Sequence, residues 1–195
     1  QIIDSTTITL FSNLLFKGVG RHPKTGKKKG GIKVHTVIHA NEGVPSDIKF
    51  TSAATNDSFM LKPTTLSKGD IMAMDRAYID YEKFEQLTQR GVIYVTKMKK
   101  NLKYKILSDT MYQTPDGLME VRIQNVEFTK QKKDGETIHH KSRIISYVDV
   151  KKRKLISLLT NDMESDPEEI VSIYRKRWEI ELLFKQMKQN FPLKY

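Results

Sequence analysis

The stretch from Asp166 to Phe191 constrains the fold of this chain most, because it combines the start signals of a helix with a long helical periodicity. Asp166 can act as an N-cap, and Pro167 suits the first helical position. Glu169 lies where the glutamate of a capping box reaches back to the cap. The sequence therefore predicts that a helix begins here and runs along the stretch.

One face of this predicted helix is apolar, and a polar line runs beside it. The apolar positions recur at helical spacing: Ile173, Ile180, Phe184, Met187 and Phe191. Tyr174, Glu181 and Lys188 stack in a line, because a step of seven residues drifts only about 20° around an α-helix. Arg177 lies just alongside, so a carboxylate lies between two cations and a phenol. A solvated face in which Glu181 pairs with Lys185 is the ordinary alternative.

Charge is the unusual feature of the composition. The 195 residues include 34 Lys and Arg against 23 Asp and Glu, which gives a formal net charge of +11 at pH 7. This balance predicts a polyanionic partner, although a basic surface without a function remains open. Cysteine is absent, which excludes disulfides, thiolate metal sites and thiol nucleophiles and fits a reducing cytoplasm.

The length suits one α/β domain with an insertion, and no apolar run approaches the roughly 18 residues of a membrane span. Because the sequence starts at Gln1 without Met and stops directly after the long helix, we expect a fragment of a longer protein.

The first predicted strand covers residues 1–11, which are rich in Ile and Thr, and it contains Asp4. An acid among apolar and β-branched neighbours is costly unless a cation meets it. Locally, Asp4, Ser5 and Thr6 are also typical of a turn or a cap, so the residues alone leave both interpretations open.

The next stretches predict a basic loop, two strands and a short helix: 17–31, 32–40, 48–53 and 56–66. The loop is either a DNA-facing element or a solvated hairpin connection. His35 and His39 share one face of their strand. Because no third ligand is nearby in the sequence, we expect surface or DNA-facing histidines rather than zinc ligands.

Asp75 ends a short apolar run, 71–74, and precedes a helical pattern over 81–89. In open α/β sheets, functional residues collect at the carboxyl ends of strands. An Asp in this position is also often the N-cap of the next element, and the residues alone do not decide between the two. Asp80 and Glu82 are assigned to the start of the helix, where acids favour the dipole.

Residues 97–154 follow a predicted strand at 91–96 and read as a small antiparallel β insertion, with short apolar runs between polar turns. They contain 15 Lys and Arg against seven Asp and Glu, so this stretch carries +8 of the net charge and localises the face for a polyanion. A last strand at 154–162 ends in Asp162, the main rival to Glu181 as an acid of a site.

The spacing of Tyr174, Arg177, Glu181 and Lys188 resembles the Tyr-Arg-Glu-Lys signature of bacterial insertion-sequence transposases of the DDE type. That resemblance implies a ribonuclease-H-like α/β fold. We therefore expect a mixed sheet flanked by helices over residues 1–195, with a β-strand insertion at about 98–153 before the last helix.

Two further blocks carry the same resemblance in the correct order. Asp4, in its Asp-Ser-Thr context, matches the first catalytic aspartate of the family. The segment DRAYIDYEKFEQL, which begins at Asp75, is similar to the block around the second. With Glu181 as the third acid, the three blocks span nearly the whole chain.

The resemblance implies DNA transposition, by metal-dependent strand cleavage followed by strand transfer. Asp4, Asp75 and Glu181 would be catalytic and would hold two Mg²⁺ or Mn²⁺ ions, for which carboxylate oxygens are suitable ligands. Tyr174, Arg177 and Lys188 would hold the DNA backbone. The partners implied are double-stranded DNA, as element ends and target, and a second copy of the protein in a homodimeric DNA complex.

The predicted β insertion departs from the family in one respect, since well-studied relatives stack a flipped base there on a tryptophan and this insertion has none. A hairpin-forming pathway is therefore not implied unless another aromatic residue such as Tyr112 takes that role. An inactive DNA-binding remnant and a related metal-dependent nuclease remain as alternative functions.

Overall fold

The computed structural model describes residues 1–9, 31–40, 42, 44–115, 117, 119–149 and 153–190. The strands are β1 (Ile2–Thr9), β2 (Gly31–His39), β3 (Val44–Ser52), β4 (Ile71–Met74), β5 (Ile93–Lys97), β6 (Lys105–Gln113), β7 (Glu120–Gln131), β8 (Thr137–Asp149) and β9 (Lys154–Thr160). The helices are α1 (Tyr81–Gln89), α2 (Pro167–Lys176) and α3 (Trp178–Asn190). The chain divides into two compact units, Gln1–Leu61 with Arg177–Tyr195, and Lys62–Lys176.

The first unit contains an antiparallel ladder of β1, β2 and β3, with β2 in the middle. Helix α3 packs against β1. Ile2, Ile3 and Ile38 are buried on the strands, and Ile180 and Phe184 are buried on the helix. Both faces of β1 and β2 are buried here, because successive side chains of a strand point to opposite faces and the adjacent residues Ile2 and Ile3, like residues Val34 to Ile38 of β2, are all buried.

The second unit contains a mixed sheet. Strands β4 and β5 are parallel, and the remaining ladder runs antiparallel in the order β5, β9, β8, β7, β6. Helix α2 packs against β4, β5 and β9, and α1 packs against β5 and β8. A core cluster joins β5, β7, β8, β9 and α2, and its buried members are Val95, Val121, Ile145, Tyr147, Leu158, Ile170 and Val171.

A buried polar network lies between α1 and the sheet of the second unit. The Nε2 atom of His140 lies 2.7 Å from the Tyr94 hydroxyl, which is itself 2.8 Å from the Ser142 hydroxyl. Glu85 on α1 contacts the other ring nitrogen, Nδ1, at 2.8 Å. Because His140, Tyr94 and Ser142 are fully buried, each needs these partners to offset the loss of water.

The predicted α/β fold class, a ribonuclease-H-like mixed sheet flanked by helices with extra β-strands before the last helix, is confirmed. Strands β6, β7 and β8 lie within the stretch predicted to be an insertion, and they continue the sheet of the second unit through β9. The domain boundary at 98–153 stays a prediction. Most of the predicted basic loop, residues 17–30, lies outside the described residues.

Two helix predictions were wrong in detail. The short helix predicted over 56–66 is two separate 3₁₀ turns, Asp57–Met60 and Pro63–Thr65. Proline explains the interruption, because its ring disfavours the helical conformation of the preceding residue, and Lys62 is extended with φ −115° and ψ 93°.

The long helix predicted from 166 is interrupted at Arg177, which separates α2 from α3. It begins at Pro167, as expected, and the Asp166 carbonyl accepts from the Glu169 amide at 3.0 Å. Neither Pro nor Gly stands at the break, so no helix-breaking residue in the sequence predicts it. The break coincides with the residue whose side chain reaches strand β1.

Candidate active site

Asp4 lies in the middle of β1, opposite Thr36 of β2, and directly after the buried residues Ile2 and Ile3. Its side chain is only 14% exposed. One carboxylate oxygen, Oδ1, accepts from the backbone amide of Ser5 at 2.8 Å. The interpretation of this segment as a strand with an inward acid is therefore correct, and the cost of burying the charge has to be met by a cation.

Arg177 supplies that cation. Its Nη1 donates to Oδ2 of Asp4 at 2.7 Å, and its Nη2 donates to Oε1 of Glu181. The Arg177 side chain is 12% exposed, and its guanidinium bridges two carboxylates that lie on different elements. Charge-assisted hydrogen bonds from the two arms of one guanidinium fix both distance and orientation.

Glu181 lies in the first turn of α3. Its neighbour Ile180 is fully buried and Phe184, one turn further on, is nearly so, which fixes the face that the helix turns to its unit. The Glu181 side chain is 34% exposed, so this carboxylate is the more accessible of the two. The predicted alternative pair with Lys185 is replaced by the pair with Arg177 at the preceding turn.

A polar cluster centred on Asp57 also lies in the first unit. Oδ1 of Asp57 accepts from the Ser5 hydroxyl at 2.5 Å and lies 3.2 Å from the Lys33 ammonium. His35 is completely buried and its Nε2 contacts the Thr51 hydroxyl at 2.8 Å, so the expectation of a surface position was wrong for this histidine. Sequence reasoning did not single out Asp57, because its contacts come from strands 22 or more positions away.

Asp75 lies in the second unit, directly after β4. Its Oδ1 accepts from the Ala77 amide at 3.0 Å and caps the 3₁₀ turn Arg76–Tyr78. The sequence left a functional strand-end acid and a cap as alternatives; the structure shows the cap, and a functional role of Asp75 stays a prediction. Asp80, its close competitor, caps α1 through the amides of Glu82 and Lys83, as expected.

Asp162, the rival third acid, holds the loop before α2. It accepts from the amides of Glu164 and Ser165 at 3.0 and 2.9 Å and from the Ser165 hydroxyl at 2.6 Å. Burial acts to raise the pKa of Asp162, but these hydrogen bonds and the charge of Arg143 outweigh it, and the pKa lies below its ordinary value. These contacts indicate that the Asp162 carboxylate stabilises the loop before α2.

The predicted DNA-contacting residues occupy different places. Tyr174 is half-buried on α2 and packs against the core cluster of the second unit. Lys188 lies within α3, but its side chain is outside the described residues. Tyr112, an example of an aromatic residue that could replace the missing tryptophan, also packs against the core cluster. Arg177 contacts carboxylates.

A family model described as "Transposase DDE domain" matches residues 1–194. The chain belongs to this family. The assignment agrees with the geometry, because the transposase domain brings the first and third expected acids, Asp4 and Glu181, to one guanidinium.

The transposase domain is similar to several insertion-sequence proteins. It is 26% identical over 203 residues to "Putative transposase y4zB" of Sinorhizobium fredii, with 100% of this chain and 52% of that protein covered. It is 26% identical over 199 residues to "Probable transposase for insertion sequence element IS5377" of Geobacillus stearothermophilus, with 98% and 49% covered. The chain thus spans about half the length of the curated relatives it matches.

The acids of the transposase domain offer oxygen ligands of the kind that divalent metal ions prefer. Asp4 and Glu181 present hard oxygen donors toward one cation, which is the chemistry that Mg²⁺ and Mn²⁺ prefer. Within the described ranges, no group of three or more His, Cys, Asp or Glu side chains is arranged to hold a metal. The pair fits such an ion, and a ligand set that includes Asp75 stays a prediction.

Helix length and polarity bear on a membrane location. In the part of the chain that the structure describes, no helix combines the length and the apolar character that crossing a membrane requires.

Proposed function

We propose that this chain is the catalytic core of an insertion-sequence transposase, which cleaves DNA strands and joins a freed 3′ end to DNA. One observation carries the proposal beyond family membership. Asp4 and Glu181 are separated by most of the chain, yet both carboxylates meet at the Arg177 guanidinium. The convergence of a carboxylate from a strand and a carboxylate from a helix supports a site that acts on a phosphodiester.

Asp4, Asp75 and Glu181 are the proposed ligands of two Mg²⁺ or Mn²⁺ ions. When bound, such ions activate a water or hydroxyl nucleophile and stabilise the leaving oxygen. The protein's contribution is rigid placement. Strand β1 holds Asp4 between two donors, the buried side of α3 orients Glu181, and the capped turn after β4 limits the movement of Asp75.

The proposed partner is double-stranded DNA, and we propose that a homodimer of the full-length protein binds it. The net charge of +8 within residues 97–154 supports a polyanionic ligand. Lys100, Lys103 and Lys105 are exposed there and are free to reach phosphates. Tyr174, Arg177 and Lys188 are proposed to contact the DNA backbone near the cleaved end.

The test uses the full-length protein with Mg²⁺ and a duplex that carries the ends of its own element. Asp4→Asn, Asp75→Asn and Glu181→Gln should each reduce cleavage by at least about 100-fold while DNA binding keeps its salt dependence. Glu179→Gln is the matched control, because Glu179 is an exposed acid in the same turn of α3. It should cleave and join like the wild type.

The products distinguish the alternatives. Joined strands support a transposase, whereas cleavage without joining identifies a metal-dependent nuclease. DNA binding without cleavage in the wild type, unchanged by Glu181→Gln, identifies an inactive DNA-binding remnant. Loss of cleavage in Asp4→Asn and Glu181→Gln but not in Asp75→Asn would remove Asp75 from the proposed site.

A further inference from the structure

Arg177 occupies the position between two acids that a metal ion would need. Its two terminal nitrogens are each directed to a different carboxylate, one on Asp4 and one on Glu181. The Arg177 side chain is 12% exposed, so it is largely enclosed by the protein. In this arrangement the arms that would grip a phosphate are turned to carboxylates of the protein itself.

The charges explain why a cation is needed there. Two carboxylates held close together in a partly buried site repel each other, and one guanidinium offsets half of their combined charge. A divalent cation would offset all of it with the same oxygen atoms. The guanidinium and a divalent cation are therefore alternative partners of Asp4 and Glu181. They compete for the same two oxygen atoms, Asp4 Oδ2 and Glu181 Oε1.

We propose that Arg177 is an internal counter-ion, which holds Asp4 and Glu181 in place without metal and competes with a divalent cation for them. This inference rests on the proposed function, because it concerns the same metal site. It also gives Arg177 a positioning role for two carboxylates, whereas the sequence predicted only a contact to the DNA backbone. A guanidinium displaced from the acids becomes available to a phosphate, so both roles belong to one side chain.

The test measures binding of Mn²⁺ alone, without DNA, by the loss of the electron paramagnetic resonance signal of free Mn²⁺. Wild type, Arg177→Gln, Arg177→Lys, Glu181→Gln and Lys185→Gln of the full-length protein are compared. Lys185→Gln is the matched control, since Lys185 is an exposed cation in α3 and its loss changes the net charge equally.

Removal of the competing guanidinium in Arg177→Gln should lower the dissociation constant of Mn²⁺ about tenfold. A change of this size corresponds to the loss of about one charge-assisted hydrogen bond. Lys185→Gln should change it less than about twofold, because an exposed charge is screened. Arg177→Lys keeps the charge but not the fork of two donors, so its affinity should lie between those of the wild type and Arg177→Gln. This conservative variant also carries the test if Arg177→Gln fails to fold.

The outcomes separate this inference from the proposed function. Unchanged or weaker Mn²⁺ binding in both Arg177 variants, with Glu181→Gln losing the ion, overturns the counter-ion role and leaves the metal site standing. Absence of Mn²⁺ binding in the wild type and in Arg177→Gln overturns both. Tighter binding in the Arg177 variants, with the control unchanged and Glu181→Gln losing the ion, supports the proposal.

Discussion

The Arg177 guanidinium donates to the Asp4 carboxylate at 2.7 Å, across 173 positions of the sequence. The contact joins the residue directly before α3 to strand β1 within one compact unit. Because Glu181 shares the same guanidinium, loss of the arginine leaves two partly buried acids facing each other. The pair should therefore contribute to stability as well as to the proposed chemistry.

A double-mutant cycle measures this contribution. Asp4→Asn, Arg177→Gln and the double variant should show a coupling of about 1–2 kcal/mol in the free energy of unfolding, because the hydrogen bond is charge-assisted and partly buried. Urea unfolding followed by circular dichroism gives the four values. The exposed pair of Asp47 and Lys49, at 3.7 Å, is the control and should couple by less than about 0.5 kcal/mol. Equal coupling in the two cycles would contradict the prediction.

The buried network around His140 predicts an effect of one hydroxyl group. Tyr94→Phe removes the partner of both His140 and Ser142 and should lower the free energy of unfolding by about 1–3 kcal/mol. Tyr104→Phe is the matched control, because Tyr104 is 38% exposed and contacts Phe128 through its ring. It should cost less than about 0.5 kcal/mol. Chemical denaturation compares the two, and similar losses would show that the network contributes nothing.

Stability should depend on pH through the buried histidines. Burial lowers the pKa of His140, although Glu85 acts to raise it, and burial also lowers the pKa of His35. Below about pH 6.5 the unfolded chain then binds protons that the folded chain does not. The stabilisation is fully present above that pH and is lost as the pH falls toward the lowered folded values.

The measurement compares the free energy of unfolding at pH 7.5 and pH 5.5. In His140→Gln the difference should be smaller than in the wild type, after allowance for the overall loss of stability. His39→Gln removes an exposed imidazole instead and should keep the wild-type difference. A wild-type difference retained in His140→Gln would exclude His140 as its source.

The burial gradient along β9 predicts a contrast between two leucines, because the strand is exposed at its start and buried on both faces toward its end. Leu158 is fully buried in the core cluster, and Leu155 is 69% exposed. Leu158→Ala should destabilise the protein by about 2–5 kcal/mol through the cavity it leaves. Leu155→Ala should cost less than about 0.5 kcal/mol. Thermal and urea unfolding of the two variants test the placement, and equal losses of stability in the two variants would contradict it.

Much of the fold could be predicted from local patterns. The high content of Ile and Thr located β1, alternation of apolar and polar residues located β2, and the apolar run before Asp75 located β4. Asp80 was correctly assigned to the start of α1, because a cap acts on amides only two and three residues away. These features depend on neighbours in the sequence, and their physical causes are visible there.

The break at Arg177 and the partners of Asp57 could not be predicted in this way. Ile173 and Ile180 lie on either side of the break at helical spacing. The apolar periodicity of the sequence therefore continues where the helix itself is interrupted. Asp57 meets Ser5 and Lys33, which lie 52 and 24 positions away. Contacts at such distances depend on how strands and helices pack.

The sequence by itself indicated the family through three blocks of resembling residues, and that resemblance implied the ribonuclease-H-like α/β class and the acids to consider. Only the tertiary structure decided that Arg177 faces Asp4 and Glu181. The reason is physical: spacing along a helix specifies which side chains share a face, whereas the charge that compensates a partly buried carboxylate comes from whichever element packs against it.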